Sequence, residues 1–184
     1  MARIETIAAC HPLGIILREK DMSPEEYRML AVQVIEICRR YDVKCILHSF
    51  TDVAINLQTD SIHLPLHLLG EQSDDKKAHF KEIGASCHSV EDAVKAQEFG
   101  CTYITAGHIF ETDCKMGLPG RGLEFLKKVC DAVDIPVYAI GGINAGNIGS
   151  VREKGASGVC LMSSLMVSAK VTELMKAMGN KNDI

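Results

Sequence analysis

The 184-residue chain carries 20 basic and 24 acidic side chains, a net charge of −4, and 47% of its residues are hydrophobic. A chain of this length buries roughly 70% of its unfolded surface, so one domain needs no disulfide or metal staple. No basic block invites nucleic acid or an anionic membrane surface, no window is apolar for long enough to span a bilayer, and the first five residues lack a signal-peptide pattern. The eight cysteines form no C-x-x-C pair, and Cys45, Cys101 and Cys160 sit in apolar runs where a thiol behaves as a small hydrophobe. Reduced thiols and a cytoplasmic location are the expectation.

In chain order, residues 3–10 read as a helix, with Ile4, Ile7 and Ala8 on one face. Strands are expected at 14–17, 44–48, 61–64, 83–87, 101–106, 136–140 and 158–162. Helices fill the intervals, which is the signature of a parallel βα protein. The helix over 23–40 opens with Ser23 as N-cap, Pro24 in the first turn and Glu25 and Glu26 behind it. Ser89, with Asp92 three residues on, opens the next clear helix as a capping-box variant. Gly100 and Gly155 stand where αβ turns want a left-handed residue. The expected fold is a single (β/α)8 barrel domain of the TIM type over residues 1–184, lacking its first strand. A doubly wound open sheet is the alternative. Polar loops after nearly every strand end favour the barrel, whose chemistry sits on that face.

The chemistry concentrates in residues 107–122. There an apolar strand delivers His108, Glu111, Asp113, Cys114 and Lys115 to one long irregular loop, and loops of that kind inside compact domains are usually functional. The Gly141-Gly142 pair and the Met162-Ser163-Ser164 run follow the last two strands. Barrels commonly bind phosphate there, on backbone N–H groups and a short helix N-terminus; a Gly-Gly pair by itself needs only a tight turn. Arg18 and Lys20 alternate past the first strand, so they share a side and can aim at one anion. Three weaker patterns compete. His63 and His67 have the i,i+4 spacing of a zinc pair, but Pro65 prevents the regular helix that pair requires, so no metal site is expected. Cys114 beside Lys115 could pair with His108 as a nucleophile. Met162, Met166, Met175 and Met178, at helical spacings, read as core.

Leu17 to Lys20, Cys87 to Ala93, the block from Gly107 to Gly122 and residues 135–143 together resemble the thiamine phosphate synthase/TenI superfamily. The block 107–122 is similar to the TenI branch, the thiazole tautomerases. This implies an isomerase that aromatises a phosphorylated carboxythiazole without a cofactor, with His108 as general acid/base. It implies substrate contacts at Arg18, Lys20, Ser86, Thr112, Lys115, Gly141, Gly142, Ser163 and Ser164. The implied partners are the phosphorylated thiazole and further copies of the chain. The synthase branch carries a proline where this chain has His108. It also holds magnesium pyrophosphate with an Asn-Asp pair and an aspartate where this chain has His48-Ser49 and Leu68. Magnesium wants charged oxygen ligands, so the synthase stands as the alternative, beside a catalytically silent phosphate-binding protein. A barrel opened at its first strand leaves two unpaired edges, which invite self-association; an upstream strand would raise stability.

Overall fold

A computed structural model describes residues 1–112 and 115–178. Seven parallel strands form one sheet in sequential order: β1 (Gly14–Leu17), β2 (Lys44–His48), β3 (Ser61–Pro65), β4 (Glu82–Cys87), β5 (Tyr103–Gly107), β6 (Val137–Ile140) and β7 (Gly158–Cys160). Parallel crossovers are right-handed. When every one steps to the next strand in the same direction, every connecting helix falls on the same side of the sheet. The sheet therefore curls with its bare face inward, as in a TIM barrel. A doubly wound sheet would reverse its strand order part-way, so that alternative is excluded. Among the described residues no ladder joins β1 to β7, and the curl is open there. Burial follows from it: β5 is buried throughout, whereas three of the four residues of β1 and all of β7 are half-buried.

Side-chain parity separates the two faces. Leu17, Leu47, Ile62, Leu64, Ile83, Ala85, Ile104, Ala106, Val137 and Ala139 point outward into a continuous core. Helices α2 (Pro24–Arg40), α6 (Val90–Glu98), α7 (Gly122–Ala132) and α8 (Ile148–Glu153) cover them with Ala31, Val34, Ala93, Ala96, Leu126, Val129 and Val151. The start of α2 is built as its sequence requires. The Ser23 hydroxyl accepts the Glu26 N–H, and the Glu26 carboxylate accepts the Ser23 N–H at 2.9 Å. At α6 the Ser89 hydroxyl accepts the Asp92 N–H, but the Asp92 carboxylate reaches one residue past the cap, to the His88 N–H at 2.8 Å. Gly100 and Gly155 have φ of 88° and 93°, the left-handed conformation their turns need.

Residues 2–8 form helix α1 (Ala2–Ala8) rather than a strand. It packs Ile7 against Leu165 and Val171 in a small second cluster, and Arg3 donates to the Ser168 carbonyl at 2.7 Å. The methionine expectation needs correction. Met178 is buried and Met175 packs against that second cluster, but Met162 and Met166 are 51% and 53% exposed. Helical spacing fails because α9 (Ser163–Val167) is a short helix that Met162 precedes.

Candidate active site

The C-terminal strand ends gather the polar residues. Arg18 and Lys20 are exposed just beyond β1. Leu17 pairs with Leu47, so Arg18 stands one register step further on, beside His48. Burial, followed by the charges of Arg18 and Lys20, pushes the His48 imidazole down to about 4. Its Nδ1 lies 2.7 Å from the Ser49 hydroxyl, and Ser49 takes a φ of 67° to turn the chain off β2.

Below this rim the inner face of the sheet is polar, carrying His48, His63, Ser86, Tyr103, Thr105 and Tyr138. His63 is held at about 3, first by burial and then by His48 and Arg18. Both histidines are thus neutral imidazoles near pH 7. Of these inner residues the sequence expectation contained Ser86 alone among site residues. The available signal was partial parity: in β3 to β5 the polar residues occupy the phase opposite the aliphatic ones, whereas Ile46 and Ile140 share the phase of His48 and Tyr138.

The 107–122 loop is anchored at its base. Arg121 donates its N–H to the His108 carbonyl at 3.0 Å, and Gly122 to the Ile109 carbonyl at 2.9 Å. His108 is half-buried at the end of β5, with Nε2 3.3 Å from the Leu118 carbonyl. The Thr112 carbonyl accepts the Lys115 N–H at 2.9 Å, and the Lys115 side chain is exposed. Asp113 and Cys114 lie outside the described residues, and with them the expected Cys114 pairings. Met116 and Leu118 are 84% and 56% exposed on the loop.

The glycine pair lies against this loop. Gly141 and Gly142 have φ of 100° and 65°. A Cβ on Gly141 would meet His108 Cβ at 2.4 Å, and one on Gly142 the Glu111 carbonyl oxygen at 2.4 Å. Their missing side chains therefore make room for the 108–111 backbone, in addition to any ligand role. Asn147 donates to the Gly142 carbonyl at 3.0 Å. Ile140 pairs with Cys160, which brings Gly141-Gly142 and Ser163-Ser164 to the same end of neighbouring strands. Ser163 is exposed and Ser164 half-buried at the start of α9.

The zinc pattern does not assemble: His63 is inside β3, while His67 is exposed on α4 (Leu66–Gly70). Among the described residues no three or more His, Cys, Asp or Glu side chains converge. A cavity of about 620 Å³ lies between α1 and α10 (Val171–Ala177), lined by Arg3, Thr6 and Thr172 among others, and touches none of these site residues.

Residues 2–165 match the family described as Thiamine monophosphate synthase. The chain belongs to that family. It is 37% identical to the thiamine-phosphate synthase of Fusobacterium nucleatum, over 82% of this chain and 73% of that protein. It is 33% identical to the thiamine-phosphate synthase of Clostridium acetobutylicum, over 88% and 77% of the two chains. The solved thiamine phosphate pyrophosphorylase of Pyrococcus furiosus superposes with a TM-score of 0.81 at 27% identity, covering 96% of this chain and 86% of that one.

These relatives correct the expected activity. The two sequence relatives carry the name of a synthase, a transferase, and the solved structure that of a pyrophosphorylase. Together they overturn the thiazole-tautomerase, isomerase assignment that rested on the block around His108. That block is a short part of the chain, whereas the identity with synthases extends over more than four-fifths of it.

Proposed function

We propose that the chain is a transferase of the thiamine-phosphate synthase type, which joins a phosphorylated thiazole to an activated pyrimidine diphosphate. The observation that carries this reading is the identity with proteins of that name across more than four-fifths of the chain. The geometry supports it. Arg18 and Lys20 stand at the mouth above an inner face of neutral polar groups, an arrangement suited to holding diphosphate charge at the rim and a polar heterocycle beneath it. Fixed cations pointed at a departing diphosphate stabilise the charge that develops as its bond to carbon breaks. Gly141, Gly142, Ser163 and Ser164 are the proposed cradle for the thiazole phosphate. His108, Ser86, Thr112 and Lys115 are proposed as further substrate contacts along the mouth.

The family's magnesium does not fit these residues. The positions matched to its two carboxylate ligands hold Ser49, whose hydroxyl is engaged by His48 Nδ1, and Leu68, a hydrocarbon, with His48 at the position of the asparagine. An imidazole, a hydroxyl and an alkyl group are a poor set for a hard cation that wants charged oxygens. Diphosphate charge therefore falls to Arg18, Lys20 and Lys115. We place an eighth strand, and contact with further copies of the chain, at the open edge between β1 and β7.

The test is product formation from thiazole phosphate and pyrimidine diphosphate, with and without magnesium. Thiamine phosphate accumulating at an enzymatic rate supports the reading. No product under either condition, from a protein that still binds neither substrate, would end it.

A further inference from the structure

The inner face holds a hydrogen-bonded column whose order can be read residue by residue. Register places His48 on β2, His63 on β3, Gly84 on β4 and Tyr103 on β5 in one row. Gly84 decides what touches what. A Cβ there would lie 2.1 Å from Tyr103 Cζ and 2.5 Å from His63 Nδ1. Without it, the Tyr103 hydroxyl crosses β4 and meets His63 Nδ1 at 3.1 Å. The opposite ring nitrogen, Nε2, lies 2.9 Å from the Ser86 hydroxyl. Ser86 is two residues further along β4, on the same face and nearer the mouth. His63 is 2% exposed, so water does not compete for either ring nitrogen. His48 stacks on it with ring centroids 5.6 Å apart, which fixes the plane of the ring.

A serine, a histidine and a third hydroxyl in line have the shape of a nucleophilic triad, but the chemistry differs. A buried imidazole beside Arg18 and His48 is a poor base near neutral pH. A neutral phenol also lacks the charge with which a carboxylate stabilises an imidazolium. What a neutral imidazole does well is hold one tautomer. Burial raises the Tyr103 phenol and keeps its proton on. Among the described residues that hydroxyl has His63 as its partner. Donation from Tyr103 to Nδ1 would pair the more acidic donor with the better neutral acceptor. The ring proton then sits on Nε2 and is donated to Ser86 Oγ. A serine oxygen that accepts from Nε2 leaves its own O–H for a partner on the mouth side.

We propose that Tyr103 and His63 are positioning residues that set the Ser86 hydroxyl as a hydrogen-bond donor to an anionic oxygen of the bound ligand. The identity of that ligand rests on the synthase-type reading; the column itself does not.

The experiment combines a mutant cycle with a spectroscopic reading of the ring. Thiamine phosphate is titrated by calorimetry into the wild type, Tyr103→Phe, Ser86→Ala and the double variant, after melting curves confirm that each is folded. Each single change should weaken binding roughly tenfold, the worth of one charge-assisted hydrogen bond. The double variant should be no weaker than Ser86→Ala, because Tyr103 acts through Ser86. His63→Gln, whose side-chain amide keeps a donor near the Nε2 position, should recover most of the affinity that His63→Leu loses. Ring ¹⁵N spectra of the wild type should show the His63 proton on Nε2, and Tyr103→Phe should mix the tautomers. Additive losses in the cycle, or a proton on Nδ1 in the wild type, would overturn the proposal. If the wild type ignores thiamine phosphate, the ligand assignment fails. The same cycle with inorganic pyrophosphate, together with the ring spectra, then decides the column separately.

Discussion

Replacing Gly142 by alanine tests whether the glycine pair exists to seat the 107–122 loop. Two penalties arise at that position. The φ of 65° is left-handed, which costs an L-residue about 1–2 kcal/mol. The new Cβ would also lie 2.4 Å from the Glu111 carbonyl oxygen and 2.7 Å from Phe110 Cβ. Forcing atoms into filled space typically costs a further ~1–3 kcal/mol. The sum is about 2–5 kcal/mol, or a fall in melting temperature of roughly 5–15 °C for a chain of this size. Gly100 supplies the control. Its φ of 88° is also left-handed, but an added Cβ meets nothing within 4 Å, so Gly100→Ala should lose only the ~1–2 kcal/mol of backbone strain. Urea titrations of both variants measure the difference directly. Gly142→Ala should in addition weaken binding of thiazole phosphate, because the loop it displaces carries His108 and Thr112. Equal destabilisation by the two alanines would refute the packing argument and leave the glycine pair as an ordinary turn.

Acid should weaken the fold well above the range where carboxylates titrate. His48 and His63 are held at about 4 and 3 in the folded protein, against about 6.5 unfolded. Between those values the unfolded chain binds more protons, so their contribution is complete above about pH 6.5 and drains away as pH falls, on the order of several kcal/mol by pH 4. Denaturant midpoints that stay flat between pH 7 and 5 would contradict this. Arg18→Ala should weaken pyrophosphate binding roughly tenfold or more, and the loss should shrink as salt rises; an unchanged affinity would remove Arg18 from the rim. Chelating divalent ions should leave thiazole phosphate binding unaltered, whereas a strong gain on adding magnesium would show that ligands other than His48, Ser49 and Leu68 serve it. The exposed edges of β1 and β7 should drive concentration-dependent self-association on a sizing column, and a single monomeric peak at every concentration would refute it.

The sequence by itself determined the element order and the outer core. Short apolar runs and capped helical repeats depend on neighbours a few residues away, which is why the strands appeared within two residues of their expected ends and α2 began at its Ser23 cap. Local pattern also showed that residues 2–8 are helical, because Ile4, Ile7 and Ala8 form a stripe that a strand would split. Other properties depended on the sheet closing into a curl. Ser86, His63 and Tyr103 lie far apart in the chain; strand register brings them together, and the absence of a side chain at Gly84 lets them touch. A glycine in a strand carries no mark of what crosses over it. Gly141 and Gly142 read as a phosphate cradle from the sequence, and what the tertiary structure adds is the backbone of residues 108–111 laid against them. The branch of the family was misread for a related reason. A conspicuous loop drew attention to His108, whereas the residues that set the chemistry of the inner face are single polar positions hidden in apolar strands, and only the fold shows which way they point.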